Sequence, residues 1–363
     1  MLYHLALWLR EIWFPFNVFQ YISFRAWLAF LVAFFIVWFA IPRFIPIVKK
    51  LYEKYGGVVR EYLEHHEMKK LTPTLGGTVI ALTLVVLSFL FLRLDTPYPY
   101  LAALTVLLFA SIGFLDDWLK ITKRGGLSAR TKFALQLAAA FVVAVLMVLY
   151  LPIDTRVYLP FFKELHPDLG LFYILWAVLF MVGISNAVNI TDGLDGLAIG
   201  ASLTTATVMA FTAYLAGNYI YANYLGIPYV PYAGELSILL AAFIGAGLAF
   251  LWYNTFPAKI FMGDVGSLAI GALLAFVALA TKSEFILLVA GGLFIIEIIS
   301  VVVQVLYFKY TKRRYGEGKR ILLMAPLHHH FEKKGWKEPQ IVVRLWIISI
   351  LFGIFSLTLL KLR

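Results

Sequence analysis

The sequence predicts an all-α, polytopic integral membrane protein with about ten transmembrane helices. Of its 363 residues, 62% are hydrophobic and only 14% are charged, whereas soluble domains are near a quarter charged. Apolar runs of the roughly 20 residues that a spanning helix needs recur along the whole chain. These runs are continuous rather than alternating, which argues against a membrane β-barrel. We therefore expect one transmembrane domain over residues 1–363.

Ten spans are predicted, in chain order. They lie near residues 24–43, 74–93, 98–116, 131–150, 170–189, 197–216, 236–253, 266–281, 285–308 and 341–360. The eighth span is short, and only a brief polar turn separates the fifth span from the sixth. No period of 20–50 residues recurs, so a solenoid is not indicated.

The distribution of lysine and arginine predicts which side of the membrane each connection faces. Residues 43–70, 120–132 and 309–344 together with Lys259 carry 23 of the 31 basic residues. The positive-inside rule then places the alternate connections in the cytoplasm and both termini on the outer, periplasmic side. We expect the cytoplasmic segments near 44–73, 117–130, 190–196, 254–265 and 309–340 to form the active site.

The net charge of +11 has its origin in these loops. Basic residues beside membrane spans indicate contact with membrane lipid rather than binding of nucleic acid. The chain contains no cysteine, which excludes disulfides and thiolate metal sites. Its first 23 residues lack the charged start, apolar core and small-residue cleavage site of a removable signal peptide.

Two adjacent carboxylates, Asp116 and Asp117, end the apolar run Leu101 to Leu115. A carboxylate at the mouth of a span is costly without a partner, and two side by side repel each other and favour a proton or a cation. The alternative is an ordinary helix end that Lys120 neutralises at helical spacing. The pair alone is a weak motif.

Two further acidic segments follow later apolar runs. Asn189, Asp192 and Asp195 occur at a spacing of three in a glycine-containing turn, which is either a tight helix–helix turn or a binding turn whose glycines admit a ligand. Asp264 precedes an apolar helix and is either its N-cap or part of a ligand-binding loop. If this segment is a ligand-binding loop, we also expect Phe261 and Met262 to be exposed.

The histidine run His328–His330 lies inside structured sequence rather than at a terminus. Three consecutive histidines on a helix cannot all face one ion, so a zinc site is disfavoured. Nearby Lys319, Arg320 and Lys333 make an anionic phosphate the better expected partner.

Glu297 and Gln304 lie within the ninth apolar run at a spacing of seven, which puts them on one helix face. Glu297 needs a partner within the bundle or a proton, and both a structural and a functional role stay open. Lys69 and Thr74, before the second span, are either interface anchors or ligand contacts.

Carboxylates and cations gathered at one face of the membrane are suited to phosphoryl transfer. Hard oxygen ligands favour Mg²⁺, and lysine and arginine hold phosphate groups. In phosphoryl transfer, catalysis consists mainly of positioning and charge stabilisation. A transporter would instead place its acids near the membrane midplane, where only Glu297 lies. A metal channel would need rings of like charge.

Five motifs, in this order, resemble those of the polyprenyl-phosphate N-acetylhexosamine-1-phosphate transferases. They are Thr72–Gly77, Phe114–Trp118, Asn186–Gly196, Phe261–Ser267 and Ala325–His330. The resemblance spans essentially the whole chain. The Pro-Leu-His-His-His-Phe-Glu run is similar to that of the muramoyl-pentapeptide branch rather than the N-acetylglucosamine branch.

This resemblance implies a reaction at the cytoplasmic face of the bacterial inner membrane. Phospho-N-acetylmuramoyl-pentapeptide would pass from UDP-N-acetylmuramoyl-pentapeptide to undecaprenyl phosphate, giving UMP and lipid I in the first membrane step of peptidoglycan synthesis. It also implies Mg²⁺ dependence and a homodimer. The nearest alternative is the same chemistry on UDP-N-acetylglucosamine, which shares the metal site; a lipid transporter is the more distant one.

The resemblance further implies roles for individual residues. The catalytic set is Asp116, Asp117, Asp264 and His328, with Asp264 and Asp117 as metal ligands. Asp116 is the candidate base for the lipid phosphate, and a single in-line displacement is simpler than a covalent aspartyl-phosphate. Substrate-binding residues are expected to be Lys69, Thr74, Lys120, Lys132, Asn189, Asp192, Gly193, Asp195, Asn254, Phe261, Gln304, Ala325, His328 and His329.

Within that pocket, Phe261 is expected to stack on uracil, whereas Lys120 and Lys132 would face the phosphates. The lipid tail would lie in an apolar groove between spans, beside the bent ninth span.

Overall fold

The structure, a computed structural model, describes residues 1–55, 72–123, 125–159 and 165–361. Within these residues the chain is helical, apart from connections and one isolated bridge between Arg156 and Asp168. The helices are α1 Leu2–Leu9, α2 Ile22–Tyr55, α3 Gly77–Phe91, α4 Tyr98–Lys123, α5 Ala129–Tyr150, α6 Phe172–Thr191, α7 Leu197–Ala216, α8 Tyr219–Leu225, α9 Glu235–Asn254, α10 Gly263–Ala280, α11 Glu284–Ala290, α12 Gly292–Tyr315, α13 Leu327–Lys333 and α14 Glu338–Thr358. Short 3₁₀ helices cover Phe14–Gln20 and Leu359–Lys361.

Nine of the ten predicted spans each correspond to one helix. In the described part of the chain, nine helices are long and apolar enough to cross a membrane, and the apolar α3 is shorter. The prediction of an all-α, polytopic membrane protein with about ten spans is therefore confirmed. The sidedness of the termini stays a prediction.

The ninth span differs from its prediction, since it is two helices rather than one. Helix α11 ends before Gly291 and α12 begins at Gly292. Glycine is a poor helix former, and a Cβ on Gly292 would lie 2.7 Å from the ring of Phe352, so α14 approaches closely at the break. Hydropathy could not reveal this division because both halves are apolar.

Several helices also run past the first charged residue at which their spans were predicted to end. Helix α2 reaches Tyr55, α4 reaches Lys123 and α12 reaches Tyr315. Lysine or arginine occupies the last turn of each, where the negative end of the helix dipole favours cations. Asp116 and Asp117 therefore lie inside α4, about two turns before its end.

Helix α10 is the centre of the bundle. Each of its residues from Gly263 to Ala280 is buried, and it packs against α3, α4 and α6. Two glycines allow the close approach at its first turns. A Cβ on Gly113 of α4 would lie 2.2 Å from the carbonyl oxygen of Asp264, and a Cβ on Gly77 of α3 would lie 2.3 Å from Gly266. This packing brings the start of α10 against the end of α4.

Candidate active site

Three carboxylates meet at one end of the bundle. Asp116 and Asp117 come from α4 and Asp264 from the first turn of α10. All three are buried, and one oxygen of each lies within 4.8 Å of those of the other two. We call this group, with the end of the bundle that it occupies, the acidic end. The structure thus brings together the three acids that the sequence assigned to catalysis.

Two lysines bind the three carboxylates. The ammonium of Lys120 lies 2.7 Å from Asp116 Oδ2 and 2.5 Å from Asp264 Oδ2, and 3.4 Å from Asp117 Oδ1. The ammonium of Lys132, from α5, lies 2.8 Å from Asp264 Oδ2 and 3.4 Å from Asp116 Oδ2. The predicted pairing of Asp116 with Lys120 at helical spacing is present, but Lys120 also reaches a second helix.

Backbone groups fix the orientation of the acids. The amide of Leu127 donates to Asp116 Oδ1 at 2.6 Å, and the amide of Val265 approaches Asp117 Oδ2 at 3.4 Å. Gly263 has a φ of +74°, and a Cβ there would meet Asp117 Oδ2 at 2.4 Å. Only glycine fits this position, because the conformation is left-handed and the carboxylate occupies the space.

Asn189 connects the cluster to α6. Its Nδ2 donates to Asp264 Oδ1 and to Ser267 Oγ, each at 2.7 Å. The Ser267 hydroxyl in turn donates to the carbonyl of Gly263 at 3.0 Å. Asp264 is therefore held by an amide on one oxygen and by two lysines on the other. Ser267 lies in the quoted Phe261–Ser267 motif but was not singled out as a site residue.

The donor set fits a divalent cation. Three buried carboxylates gather in this cluster, and one oxygen of each lies within 4.8 Å of those of the other two. Lys120 already shows that a cation is held between these oxygens. Hard carboxylate oxygens are the ligands that Mg²⁺ prefers.

The turn between α6 and α7 is held by side chains from other helices. Asp195 Oδ2 accepts from the Ala258 amide at 3.0 Å, and its own amide donates to Glu338 Oε1 at 2.8 Å. Asn254 accepts from the Gly196 amide at 3.1 Å and donates to the Ile260 carbonyl at 2.8 Å. Asp195 and Asn254 thus tie this turn to the segment that leads into α10.

Helix α14 supports the same turn. The indole nitrogen of Trp346 donates to the Gly196 carbonyl at 3.2 Å, and a Cβ on Gly200 would lie 2.2 Å from that nitrogen. Glu338 and Trp346 were not identified from the sequence, because neither lies in a motif and only the tertiary packing gives them partners.

The segment before α3 lies against the segment before α10. The Phe261 amide donates to the Pro73 carbonyl at 2.8 Å, and Phe261 accepts in turn from the Gly76 amide at 3.0 Å. Phe261 is half-buried, whereas Met262 is 1% exposed. The expectation that Met262 is exposed is wrong, because its side chain packs against Gly266. The hydroxyl of Thr74 is buried beside Gly263 and has no hydrogen-bond partner in the described part of the chain.

The three histidines of the run face different groups. His328 is fully buried, and a Cβ on Gly193 would lie 2.2 Å from its Nε2. His329 Nδ1 lies 2.5 Å from Glu332 Oε2, and His330 Nδ1 accepts from the Leu323 amide at 3.1 Å. The three rings therefore do not converge on one ion. This agrees with the prediction from their spacing, which disfavoured a zinc site. Only His328 faces the turn between α6 and α7.

Gln304 of α12 holds the connection that leads to this run. Its Oε1 accepts from the amides of Ile321 and Leu322 at 3.1 and 3.0 Å, and its Nε2 donates to the Leu322 carbonyl at 3.3 Å. Ala325 lies three residues further on, two residues before the start of α13 at Leu327, and is half-buried. Lys69 lies outside the described residues.

The chain is similar to known proteins over its whole length. The model of the glycosyl transferase family 4 matches residues 99–282. The phospho-N-acetylmuramoyl-pentapeptide-transferase of Aquifex aeolicus (strain VF5) is 52% identical over the full length of both chains. The proteins of the same name from Hydrogenobaculum sp. (strain Y04AAS1) and Desulfotalea psychrophila (strain LSv54 / DSM 12343) are 50% and 49% identical, again over both full lengths.

The matched region, 99–282, contains Asp116, Asp117, Asp264 and both lysines that bind them. The full-length identities extend the similarity to the histidine run and α14. The chain therefore belongs to glycosyl transferase family 4 and, within it, to the phospho-N-acetylmuramoyl-pentapeptide-transferases.

Proposed function

We propose that the protein transfers phospho-N-acetylmuramoyl-pentapeptide from UDP-N-acetylmuramoyl-pentapeptide to undecaprenyl phosphate, releasing UMP and forming lipid I. The observation that carries this proposal is the convergence of three buried carboxylates and two lysines at one end of a bundle of apolar helices. The relatives at about half identity over their full length bear the name of this activity. It is the first membrane step of peptidoglycan synthesis.

The transfer is a substitution at phosphorus. An oxygen of the undecaprenyl phosphate forms a bond to the β-phosphorus of the UDP donor, and the bond from that phosphorus to the bridging oxygen breaks, so UMP leaves with the bridging oxygen. Lys120 and Lys132 are placed to bind the phosphate oxygens, since their ammonium groups lie at the acidic end. A single in-line displacement accounts for the products without a covalent aspartyl-phosphate.

Asp116 is the proposed base. Its carboxylate is oriented by the Leu127 amide and lies beside both lysines, so it is held in one position to take the proton of a monoprotonated lipid phosphate. A phosphate monoester has its second ionisation near pH 6, so this proton transfer contributes little near neutral pH. The larger contribution of Asp116 is to the charge balance of the cluster.

Asp264 and Asp117 are the proposed ligands of Mg²⁺. When bound, Mg²⁺ would neutralise negative charge on the diphosphate and on the leaving UMP. The ligand oxygens are already oriented, because Asn189 and the two lysines hold Asp264, and Val265 lies beside Asp117. Pre-orientation of this kind lowers the reorganisation that binding requires.

The donor pocket is proposed to lie between the acidic end and the turn that joins α6 to α7. Asp192, Gly193 and His328 line this turn, and Phe261 and Thr74 border the start of α10. Phe261 is proposed to stack on the uracil ring. Asp195, Asn254 and Gln304 have backbone partners in the structure, so we propose that they support the pocket walls. Lys69, Ala325 and His329 remain proposed contacts from the resemblance.

Turnover with two donors tests the proposed function. Purified protein is incubated with undecaprenyl phosphate, Mg²⁺ and either UDP-N-acetylmuramoyl-pentapeptide or UDP-N-acetylglucosamine, and UMP release is measured. We expect release only with the muramoyl-pentapeptide donor. Turnover of the N-acetylglucosamine donor alone would overturn the choice of substrate, and the absence of UMP release with either would overturn the proposed reaction.

The proposed location is the bacterial inner membrane, with the acidic end facing the cytoplasm and both termini outside. Because the chain has no cysteine, single introduced cysteines report sidedness directly. Gly125 is exposed in open space beside the acidic end, and Asn223 is exposed on α8. In intact cells an impermeant maleimide should label Asn223→Cys and not Gly125→Cys. The reverse pattern would invert the topology.

A homodimer is also proposed from the resemblance. Light scattering of the protein in detergent, corrected for bound detergent, should give twice the mass of the 41.0 kDa chain. A mass of one chain at the concentrations used for turnover would rule out a dimer as the active form.

A further inference from the structure

Glu297 is a buried carboxylate within an apolar helix, at a position where an isolated charge is costly. It lies on α12 and is 0% exposed. Its Oε2 accepts from the Leu327 amide at 2.8 Å and approaches the His328 amide at 3.4 Å. Both amides belong to the first turn of α13, whose N-cap residue, Pro326, makes no side-chain cap hydrogen bond. The carboxylate from α12 therefore holds the start of the short helix that carries the histidine run.

The same oxygen faces the imidazole of His328. Glu297 Oε2 and His328 Nδ1 are 3.2 Å apart, and both side chains are fully buried. On the far side of the ring, Nε2 faces Gly193, where a Cβ would lie 2.2 Å away. The imidazole thus lies between a carboxylate on α12 and the glycine of the turn between α6 and α7. Any side chain larger than that of glycine at position 193 would occupy the space in front of Nε2.

Three polar atoms of this arrangement have no hydrogen-bond partner among the described residues. They are Nδ1 and Nε2 of His328 and Oε1 of Glu297. A buried polar atom without a partner costs about 1–3 kcal/mol, so a purely structural contact would leave this cost unrecovered. A ligand group in the turn at Gly193 would give His328 Nε2 its partner.

The geometry points to Glu297 as the positioning residue for His328. It does so in two ways, by holding the first turn of α13 and by placing its carboxylate 3.2 Å from Nδ1. That negative charge favours the ring tautomer with its proton on Nδ1, which leaves the lone pair of Nε2 directed at Gly193. Glu297 touches no substrate in this arrangement and acts through the histidine. The inference rests on the proposed function, since it concerns the donor pocket of the same site.

A double-mutant cycle separates this role from structural support. The variants are Glu297→Gln, His328→Ala and the double variant, with Ser300→Ala as the matched control, since Ser300 follows on α12 and bonds the backbone carbonyl of Glu297. Glutamine keeps the size and an acceptor for the Leu327 amide but removes the charge beside Nδ1. We expect Glu297→Gln to lower kcat/KM for the UDP donor about 10- to 100-fold, through a raised KM for the donor and an unchanged KM for undecaprenyl phosphate.

In the His328→Ala background the same substitution should cause less than a twofold further loss, because the group through which Glu297 acts is gone. Ser300→Ala should match the wild type. Equal fold-losses in both backgrounds, or no loss in either, would overturn the inference. The charge-conserving variant Glu297→Asp provides a further check. If it loses as much kcat/KM as Glu297→Gln, and both variants have equally lowered melting temperatures, the role of Glu297 is structural and the inference is overturned.

Wild-type turnover is measured in the same experiment and decides the proposed function separately. The rise in melting temperature caused by the UDP donor, measured without the lipid acceptor, reports how tightly each variant binds the donor. The same double-mutant cycle can therefore be carried out with donor affinity in place of kcat/KM. It requires no turnover, so a failed reaction and a failed positioning role give different results.

Discussion

Two groups of buried charges lie at opposite ends of the helical bundle. At the acidic end, three carboxylates face two lysines. At the other end, Arg25 at the start of α2 and Glu235 at the start of α9 form two parallel hydrogen bonds of 2.6 Å each. Arg25 also donates to the Phe91 carbonyl, and the Arg93 amide donates to Glu235. We call this second group the arginine pair.

The two groups differ in charge balance. The arginine pair is one cation against one anion in bidentate geometry, and it joins α2, α3 and α9. The acidic end gathers three like charges that repel one another. A matched pair is typical of a structural contact, whereas accumulated like charge is typical of a binding or catalytic site. Substitution should therefore affect stability at one end and activity at the other.

The largest expected effect is that of Asp264→Asn. Loss of this charge removes a proposed metal ligand and the anchor of both lysines, and we expect UMP release to fall at least about 10³-fold. The melting temperature should stay within a few degrees of the wild type or rise, because repulsion within the cluster decreases. The matched control is Asp95→Asn, an acid near the arginine pair that bonds Arg93 on the surface.

Asp95→Asn should retain full turnover. Near-normal UMP release by Asp264→Asn at ordinary Mg²⁺ would refute its role. A strongly lowered melting temperature in Asp264→Asn would erase the contrast between the two ends.

The next largest effect is expected at the arginine pair, on stability alone. Arg25→Met leaves Glu235 buried without its cation, which costs about 3–5 kcal/mol. Turnover per folded molecule should stay within twofold of the wild type. Guanidinium or thermal unfolding in detergent measures the loss of stability, and UMP release measures the turnover.

The double variant Arg25→Met/Glu235→Met provides the control. It should recover much of the lost stability, since two apolar side chains replace two charges. A double variant no more stable than Arg25→Met, or a selective loss of turnover, would show that the arginine pair is more than a structural contact.

A smaller effect is expected from Lys120→Met. The substitution removes an ammonium group that contacts all three carboxylates, so both phosphate binding and the stability of the cluster should decrease. We expect about a 10²-fold loss of turnover, through weaker phosphate binding, and a lowered melting temperature. Lys123→Met, one turn further along α4 and exposed, is the matched control and should change neither. Unchanged turnover in Lys120→Met would remove the lysine from the proposed phosphate site.

The sequence alone predicted the helices and the gathering of the acids. Hydropathy reports the free energy of transferring a segment into lipid. Long apolar runs could therefore be recognised as spans without knowledge of how the helices pack. The alternation of basic loops put Asp116, Asp192 and Asp264 at one end, and the spacing of Asp116 and Lys120 predicted their ion pair. These features depend on local pattern and on topology.

Other features depend on contacts between distant segments, which no local pattern encodes. The position of the break at Gly291 could not be predicted from hydropathy, because both flanking halves are apolar. Lys132 was expected near phosphates, but its ion pair with Asp264 joins α5 to α10 over a separation of 132 residues, which no local pattern predicts. Glu297 was recognised as needing a partner, and only the structure identified the first turn of α13 and His328 as that partner.

The central claim is that the three carboxylates of the acidic end form a cation site. Titration of Mg²⁺ against the melting temperature tests it most directly, without any turnover. At about 100 times its Kd, a ligand adds about 2.7 kcal/mol to the stability of the folded state, which corresponds to a rise of several degrees for a chain of this size. The wild type and Arg25→Met should both show this rise, and Asp264→Asn should show none. An equal rise in Asp264→Asn would place the cation elsewhere and contradict the account.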